Sequence, residues 1–129
     1  MRSVVICGSR RFEKEIREFA TELKKAGVVV FEPILFDSKK DTSKDVSEMT
    51  KYLRRCGVTL HHFTQIRKAD VCYVLNKGNY IGPSTTAEIG FAAALNKPIY
   101  AREKDTQDPP RGILIDEIIP TAKELLKKL

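Results

Sequence analysis

Val71-Cys72-Tyr73-Val74-Leu75 is an unbroken apolar run, with Asp70 ahead of it and Asn76-Lys77-Gly78-Asn79-Tyr80-Ile81-Gly82-Pro83 behind it. The glycines, asparagines and proline of the second stretch read as loop. A run that is apolar at every position, rather than at alternate ones, is the pattern of a strand covered on both faces, and such strands belong to parallel sheets. Two similar runs lie upstream, Val4-Val5-Ile6-Cys7, ended by Gly8, and Val28-Val29-Val30-Phe31, stopped by Pro33. Between them Phe12, Ile16, Phe19, Ala20 and Leu23 recur at helical spacing as far as Gly27. Pro98-Ile99-Tyr100-Ala101 predicts a further strand downstream.

The intervening segments supply helices. The polar stretch from Asp37 to Ser47 reads as an exposed loop, a candidate lid, leading into a helix from about Val46 to Arg55. A second helix is expected from Leu60 to Lys68, with Phe63 and Ile66 facing inward. Ser84 or Thr85 is placed to cap a helix whose apolar face is Ile89, Phe91, Ala92 and Leu95. Ile115, Ile118, Ile119, Ala122, Leu125 and Leu126 predict a last helix, broken or restarted at Pro120. Strands alternating with helices make right-handed crossovers. The expectation is one α/β domain over residues 1–129, a doubly wound, Rossmann-like or flavodoxin-like, mostly parallel sheet of four to five strands flanked by helices. In such sheets the ligand sits at the carboxyl ends of the strands.

Composition narrows the function classes. The chain has 129 residues, 42% of them hydrophobic and 31% charged, the balance of a folded water-soluble domain. No apolar stretch reaches the roughly 20 residues of a membrane-spanning helix, and the N-terminus turns polar at Cys7-Gly8-Ser9-Arg10, too early for a signal peptide. Three cysteines, Cys7, Cys56 and Cys72, at no metal-ligand spacing, suit a reducing compartment, and a cytoplasmic location is expected. Cys7 and Cys72 read as small apolar strand residues. The net charge of +6 is spread along helices and mixed with acids, with no patch in which aromatic and basic residues interleave. A small anionic ligand is therefore expected rather than nucleic acid.

The chemistry-bearing residues cluster in two loops. Gly8-Ser9-Arg10 combines a flexible residue, a hydroxyl and a guanidinium at a strand-to-helix turn, where backbone N–H groups already favour an anion; the alternative is a plain turn with solvated arginines. No Gly-Lys-Ser/Thr follows, and Gly-x-Gly-x-x-Gly is absent, so neither a Walker loop nor a dinucleotide fingerprint is present. The second loop, Gly82-Pro83-Ser84-Thr85-Thr86-Ala87-Glu88, is dense in hydroxyls. Thr85 and Glu88 match a Thr-x-x-Glu capping box. Alternatively Glu88 faces the crevice, where a carboxylate can attack an anomeric carbon or stabilise an oxocarbenium ion, and the hydroxyl-rich loop favours this second reading. Asn76, Asn79 and Tyr80 lie on the ligand side of the sheet, whereas Asp70 opens a strand and belongs at the far end. No Asp/Glu/His cluster in the sequence asks for a metal, and no cofactor is expected.

From Ile6-Cys7-Gly8-Ser9 through Ala69-Asp70-Val71 to Ile81-Gly82-Pro83-Ser84-Thr85-Thr86-Ala87-Glu88-Ile89-Gly90-Phe91-Ala92 and Asn96-Lys97-Pro98-Ile99, the chain resembles the nucleoside 2-deoxyribosyltransferase family, including its 2′-deoxynucleoside 5′-phosphate N-hydrolase branch. The loop is also similar to the Gly-Gly-x-Gly-Thr-x-x-Glu motif of lysine-decarboxylase-like phosphoribohydrolases, with Ser84 replacing a glycine. Both groups cleave N-glycosidic bonds. The resemblance implies that Glu88 is the nucleophile, that Gly8, Ser9, Arg10 and Ser84 or Thr85 hold a 5′-phosphate, and that the protein is a homo-oligomer whose neighbouring subunits complete the site. Two positions depart from the family pattern: His62 stands where an aspartate is usual, and Val5 where a tyrosine is often found. His62, with an ordinary pKa near 6.5, suits protonation of a leaving base, or it is a polar helix residue like His61. These departures motivate a rival, a nucleotide-binding sensor or effector of the same fold without turnover.

Overall fold

The computed structural model describes residues 1–35 and 47–129. The stretch expected to form a lid therefore falls, apart from Ser47, outside the described residues. Five strands form one sheet: β1 (Val4–Cys7), β2 (Val30–Phe31), β3 (Val71–Val74), β4 (Ile99–Ala101) and β5 (Glu117–Ile118). Their order is β2-β1-β3-β4-β5, and every pairing is parallel. The helices are α1 (Glu13–Lys25), α2 (Glu48–Lys68), α3 (Pro83–Ala94), α4 (Pro109–Gly112) and α5 (Ala122–Leu126). This is the doubly wound α/β fold expected from the apolar runs. The chain order reverses between β1 and β3, so the switch point lies at their carboxyl ends.

Alternate side chains of the two central strands feed two cores. Val4 and Ile6 of β1 pack with Tyr73, Leu75, Ile16, Leu23 and Leu125 under α1 and α5. Val5 and Cys7 pack with Cys72, Val74, Ile66, Ile89 and Ala92 under α2 and α3. Both β1 and β3 are buried along their whole length, and each large side chain withdrawn from water contributes about 1.5–3 kcal/mol. Tyr73 stacks on Phe19 with ring centroids 4.2 Å apart and donates its hydroxyl hydrogen to the Ile119 carbonyl at 2.8 Å. At the amino ends of β1 and β3, Asp70 accepts from Ser3 N at 2.7 Å and Ser3 Oγ at 2.9 Å. Those bonds hold its carboxyl below the usual range.

Three local expectations are corrected. The last helix does not begin at Ile115. Asp116 N donates to Ile99 O at 2.8 Å and Ile119 N to Ala101 O at 2.7 Å, which makes residues 117–118 an edge strand. Pro120 ends it and Thr121 caps the short α5. The two helices expected on either side of Gly57 are a single helix, α2, capped by Ser47 on Thr50 N. Gly57 is solvent-facing and a Cβ there would meet nothing, so its cost is only the roughly 1 kcal/mol of a helical glycine. Finally, α3 starts two or three residues earlier than a Ser84 or Thr85 cap requires: Gly82 is the cap and Pro83 the first helical residue.

Candidate active site at the carboxyl ends of the central strands

Cys7 is the last residue of β1, and its side chain points to the face covered by α2 and α3. There its Sγ lies 3.5 Å from His62 Nε2 of α2 and 3.5 Å from Cys72 Sγ of β3. Glu88, in the second turn of α3, brings Oε2 to 3.9 Å from His62 Nε2. The Thr85–Glu88 capping box is thereby ruled out: Thr85 is already inside the helix, and Glu88 faces Cys7 and His62 instead of the helix end. All three side chains are buried, Glu88 being 8% exposed and His62 2%. The helical spacing of Glu88, Ile89 and Ala92 puts the carboxylate on the inward side of α3 with the core residues that anchor it.

Burial in an apolar surrounding disfavours charge on every member of this cluster. It raises the Glu88 carboxyl to about 7, partly opposed by a hydrogen bond from Cys7. It lowers His62 to about 4, with repulsion from His61 adding to the effect and the nearby Ile6 backbone opposing part of it. The hydrogen bond with Cys72, and then burial, push the Cys7 thiol well above its ordinary range. At neutral pH His62 is therefore a neutral imidazole. The ordinary pKa expected of His62 is not kept, because burial disfavours the charged ring. Its Nδ1 is buried with no partner in hydrogen-bond geometry.

The remaining residues singled out from sequence surround this cluster at varying distance from the chemistry. Gly8 follows Cys7 directly, and a Cβ there would meet Leu75 O at 3.1 Å and Ile16 Cδ1 at 3.3 Å, which is why the turn is built on glycine. Ser9 caps the short 3-10 turn Arg10–Phe12 through Arg11 N at 3.3 Å. Arg10 is solvent-facing on that turn, and Arg11 lies over the Tyr80 ring at 3.5 Å. Gly82 sits against Tyr80, Ser84 is exposed and Thr85 buried. The first N–H groups of α3 receive no side-chain cap, which leaves that end open to an anion. Asn76 is fully buried and committed to bracing: its Nδ2 donates to Glu103 O at 2.8 Å and its Oδ1 accepts from Glu103 N at 2.9 Å. Asn79 donates to Thr106 Oγ1 at 2.6 Å.

Sequence reasoning misses two features. Cys7 carries no local signal, because a thiol in an apolar strand reads as a small hydrophobe. Arg111 also goes unremarked, although it holds buried Asp105 and donates from Nη1 to Thr86 Oγ1 at 3.1 Å, bracing the hydroxyl loop. The broad depression bounded by Asn96, Pro98, Ile113 and Glu117 lies at the amino ends of β4 and β5, away from Glu88.

A parallel sheet of this order, with a buried carboxylate and two glycine turns at its switch point, defines a doubly wound α/β protein of the kind that takes nucleotide-like ligands there. The chain belongs to the nucleoside 2-deoxyribosyltransferase family, whose model matches residues 6–117. Family membership supports nucleoside deoxyribosyl transfer or a related N-glycosidase activity, on a small nucleoside substrate. Among solved structures it is similar to the 2-deoxyribosyltransferase of the psychrotolerant bacterium Bacillus psychrosaccharolyticus, at 15% identity and a TM-score of 0.66, over 95% of this chain and 89% of that one. It is also similar to a conserved protein from Enterococcus faecalis V583, at 17% identity and a TM-score of 0.56, over 98% of this chain and 96% of that one. These two likenesses establish the fold. No curated protein sequence matches the chain. Among the described residues no helix is long and apolar enough to cross a membrane.

Proposed function

We propose that this protein cleaves the N-glycosidic bond of a nucleoside or nucleoside 5′-monophosphate, by hydrolysis or by transfer to a second base, with Glu88 as the nucleophile. The observation that carries the reading is the placement of Glu88: a nearly buried carboxylate at the switch point, held at about 7, beside a neutral imidazole and a thiol. A desolvated carboxylate is the more reactive nucleophile, and it is ionised in a useful fraction at neutral pH.

In the first step a Glu88 oxygen attacks C1′ while the C1′–N bond breaks, the electron pair leaving with the base, which takes up a proton from water. The product is a glycosyl ester on Glu88. In the second step a water or an acceptor base attacks C1′, and the ester oxygen leaves as the carboxylate. In this reading His62, whose Nε2 lies 3.9 Å from Glu88, takes the proton that the attacking water sheds. Gly8, Ser9, Arg10 and the open start of α3 supply hydrogen bonds and positive charge for a 5′-phosphate.

Free-base release is the test, read by chromatography over a panel of ribo- and deoxyribonucleosides and their 5′-monophosphates, with and without an acceptor base. Release that disappears in Glu88→Ala is the expected result. The rival, a nucleotide sensor without turnover, is favoured by His62 in the place of an aspartate. It replaces this reading if nothing is released while a nucleotide still raises the melting temperature.

A further inference from the structure

Cys7, His62 and Glu88 come from three separate elements, β1, α2 and α3, yet their donor atoms lie within 4.8 Å of one another. Two edges of this triangle are known individually: 3.5 Å from Cys7 Sγ to His62 Nε2 and 3.9 Å from His62 Nε2 to Glu88 Oε2. Three donors within 4.8 Å of one another leave a point no more than about 2.8 Å from each of them. Zinc sits about 2.3 Å from thiolate sulfur and about 2.0–2.2 Å from imidazole nitrogen or carboxylate oxygen. A shift of under an ångström in each donor therefore closes the triangle on an ion.

A second observation points the same way. The buried His62 Nε2 is turned into the cluster, where it meets the Cys7 sulfur at 3.5 Å and a Glu88 oxygen at 3.9 Å, both longer than a normal N–H···O hydrogen bond. A long sulfur contact satisfies a buried ring nitrogen poorly, and a cation between the three groups would engage Nε2, the thiolate and the carboxylate at once. We infer that Cys7, His62 and Glu88 form a buried site for a zinc-like divalent cation, with the fourth position left for water or another ligand. The mixed set of thiolate, imidazole and carboxylate selects a borderline-soft ion over magnesium or calcium, which take oxygen donors. On binding, the Cys7 S–H proton leaves to solvent as the S–metal bond forms.

The site rests on ligand geometry and not on the glycosidic reading, but the two interact through Glu88. An ion held by its carboxylate occupies the lone pair that attack on C1′ requires, so ion occupancy and turnover exclude each other.

The test is a titration of the reduced, chelator-stripped full chain with Co²⁺, followed by the thiolate-to-cobalt charge-transfer band and the visible bands of four-coordinate cobalt, with Zn²⁺ as competitor. Saturation at one equivalent is expected, with displacement by Zn²⁺. The charge-transfer band is expected to vanish in Cys7→Ser and to persist in Cys56→Ser, and His62→Gln should weaken binding by roughly tenfold or more. Absence of the band, its survival in Cys7→Ser, or its loss in Cys56→Ser overturns the site. Circular dichroism checks that the variants fold. Should Cys7→Ser fail to fold, unchanged cobalt affinity in His62→Gln overturns it instead. Base release measured in chelator keeps the two readings separate: activity without a cobalt site sinks the metal inference alone, and a cobalt site without activity sinks the glycosidic reading alone.

Discussion

Replacing Glu88 with glutamine keeps the shape of the side chain and removes a charge that burial resists. The carboxyl is held at about 7 in the fold against an ordinary 4.5. A folded-state value above the unfolded one means that the folded protein binds the proton more tightly. The stability tied to that proton is complete below about 4.5 and is lost as pH rises through about 7. Each unit of displacement corresponds to about 1.4 kcal/mol, so the ionised carboxylate costs the wild type about 3 kcal/mol above about pH 8. Glu88 is only 8% exposed, and solvent screening takes little from this figure. The amide introduced by the substitution must find its own partners, which returns about 1 kcal/mol. The expectation is that Glu88→Gln abolishes base release, yet at about pH 8 is more stable than wild type by about 2 kcal/mol. That is roughly 7 °C in melting temperature for a chain of this size. The stability difference between the two proteins should change by about 3 kcal/mol between about pH 4 and pH 8. Urea unfolding of both proteins in chelator across that range is the assay, because taking the difference cancels the titrating groups that do not touch Glu88. Parallel pH profiles for the two proteins would refute the argument that Glu88 is held neutral by burial.

Three further outcomes follow from other parts of the structure. Gly8→Ala places a Cβ 3.1 Å from Leu75 O and 3.3 Å from Ile16 Cδ1, and the overpacking should cost about 1–3 kcal/mol in chemical denaturation; an unchanged midpoint would count against close packing there. Arg111→Met strands a carboxylate with no exposed side-chain surface and should destabilise by about 3–5 kcal/mol. Adding Asp105→Asn to that variant should recover much of the loss, and a fully additive double mutant would deny the pairing. Met49, Tyr52, Leu53 and Leu60 make an exposed apolar stripe along α2 at helical spacing. Sedimentation should find a self-associated wild type that Leu53→Asp with Leu60→Asp converts to monomer; wild-type protein that sediments as a monomer throughout would remove this face as a subunit contact.

The central architecture is legible in the sequence because its signals are local and redundant. Val4–Cys7 and Val71–Leu75 are apolar at every position, and only a strand covered on both faces tolerates that over so short a span. The last strand is not legible, since Ile115, Ile118 and Ile119 satisfy helical spacing equally well. What decides residues 117–118 is the free edge of β4, a partner distant in sequence. Gly57 misleads in the opposite direction, by suggesting an interruption in α2 that tertiary packing overrides. At the site, the hydroxyl-rich run ahead of Glu88 marks the carboxylate correctly as a residue apart from the helix cap. His62 is legible only through the resemblance and Cys7 not at all, because both meet Glu88 through the crossing of β1, α2 and α3. A strand cysteine carries no sign of what packs above it, and the bracing role of Asn76 depends on Glu103 after the next strand.

Both borders of the sheet are only two residues long, Val30–Phe31 on one side and Glu117–Ile118 on the other. Each is followed within two residues by a proline, Pro33 and Pro120, which has no N–H to offer. Glu117 is further tied to Lys128 at 2.9 Å. Among the described residues a passing strand finds no ladder long enough to zip onto, which shields these edges from edge-to-edge aggregation. Copies of this chain are thereby steered away from joining sheet to sheet, toward contacts between side chains on helices.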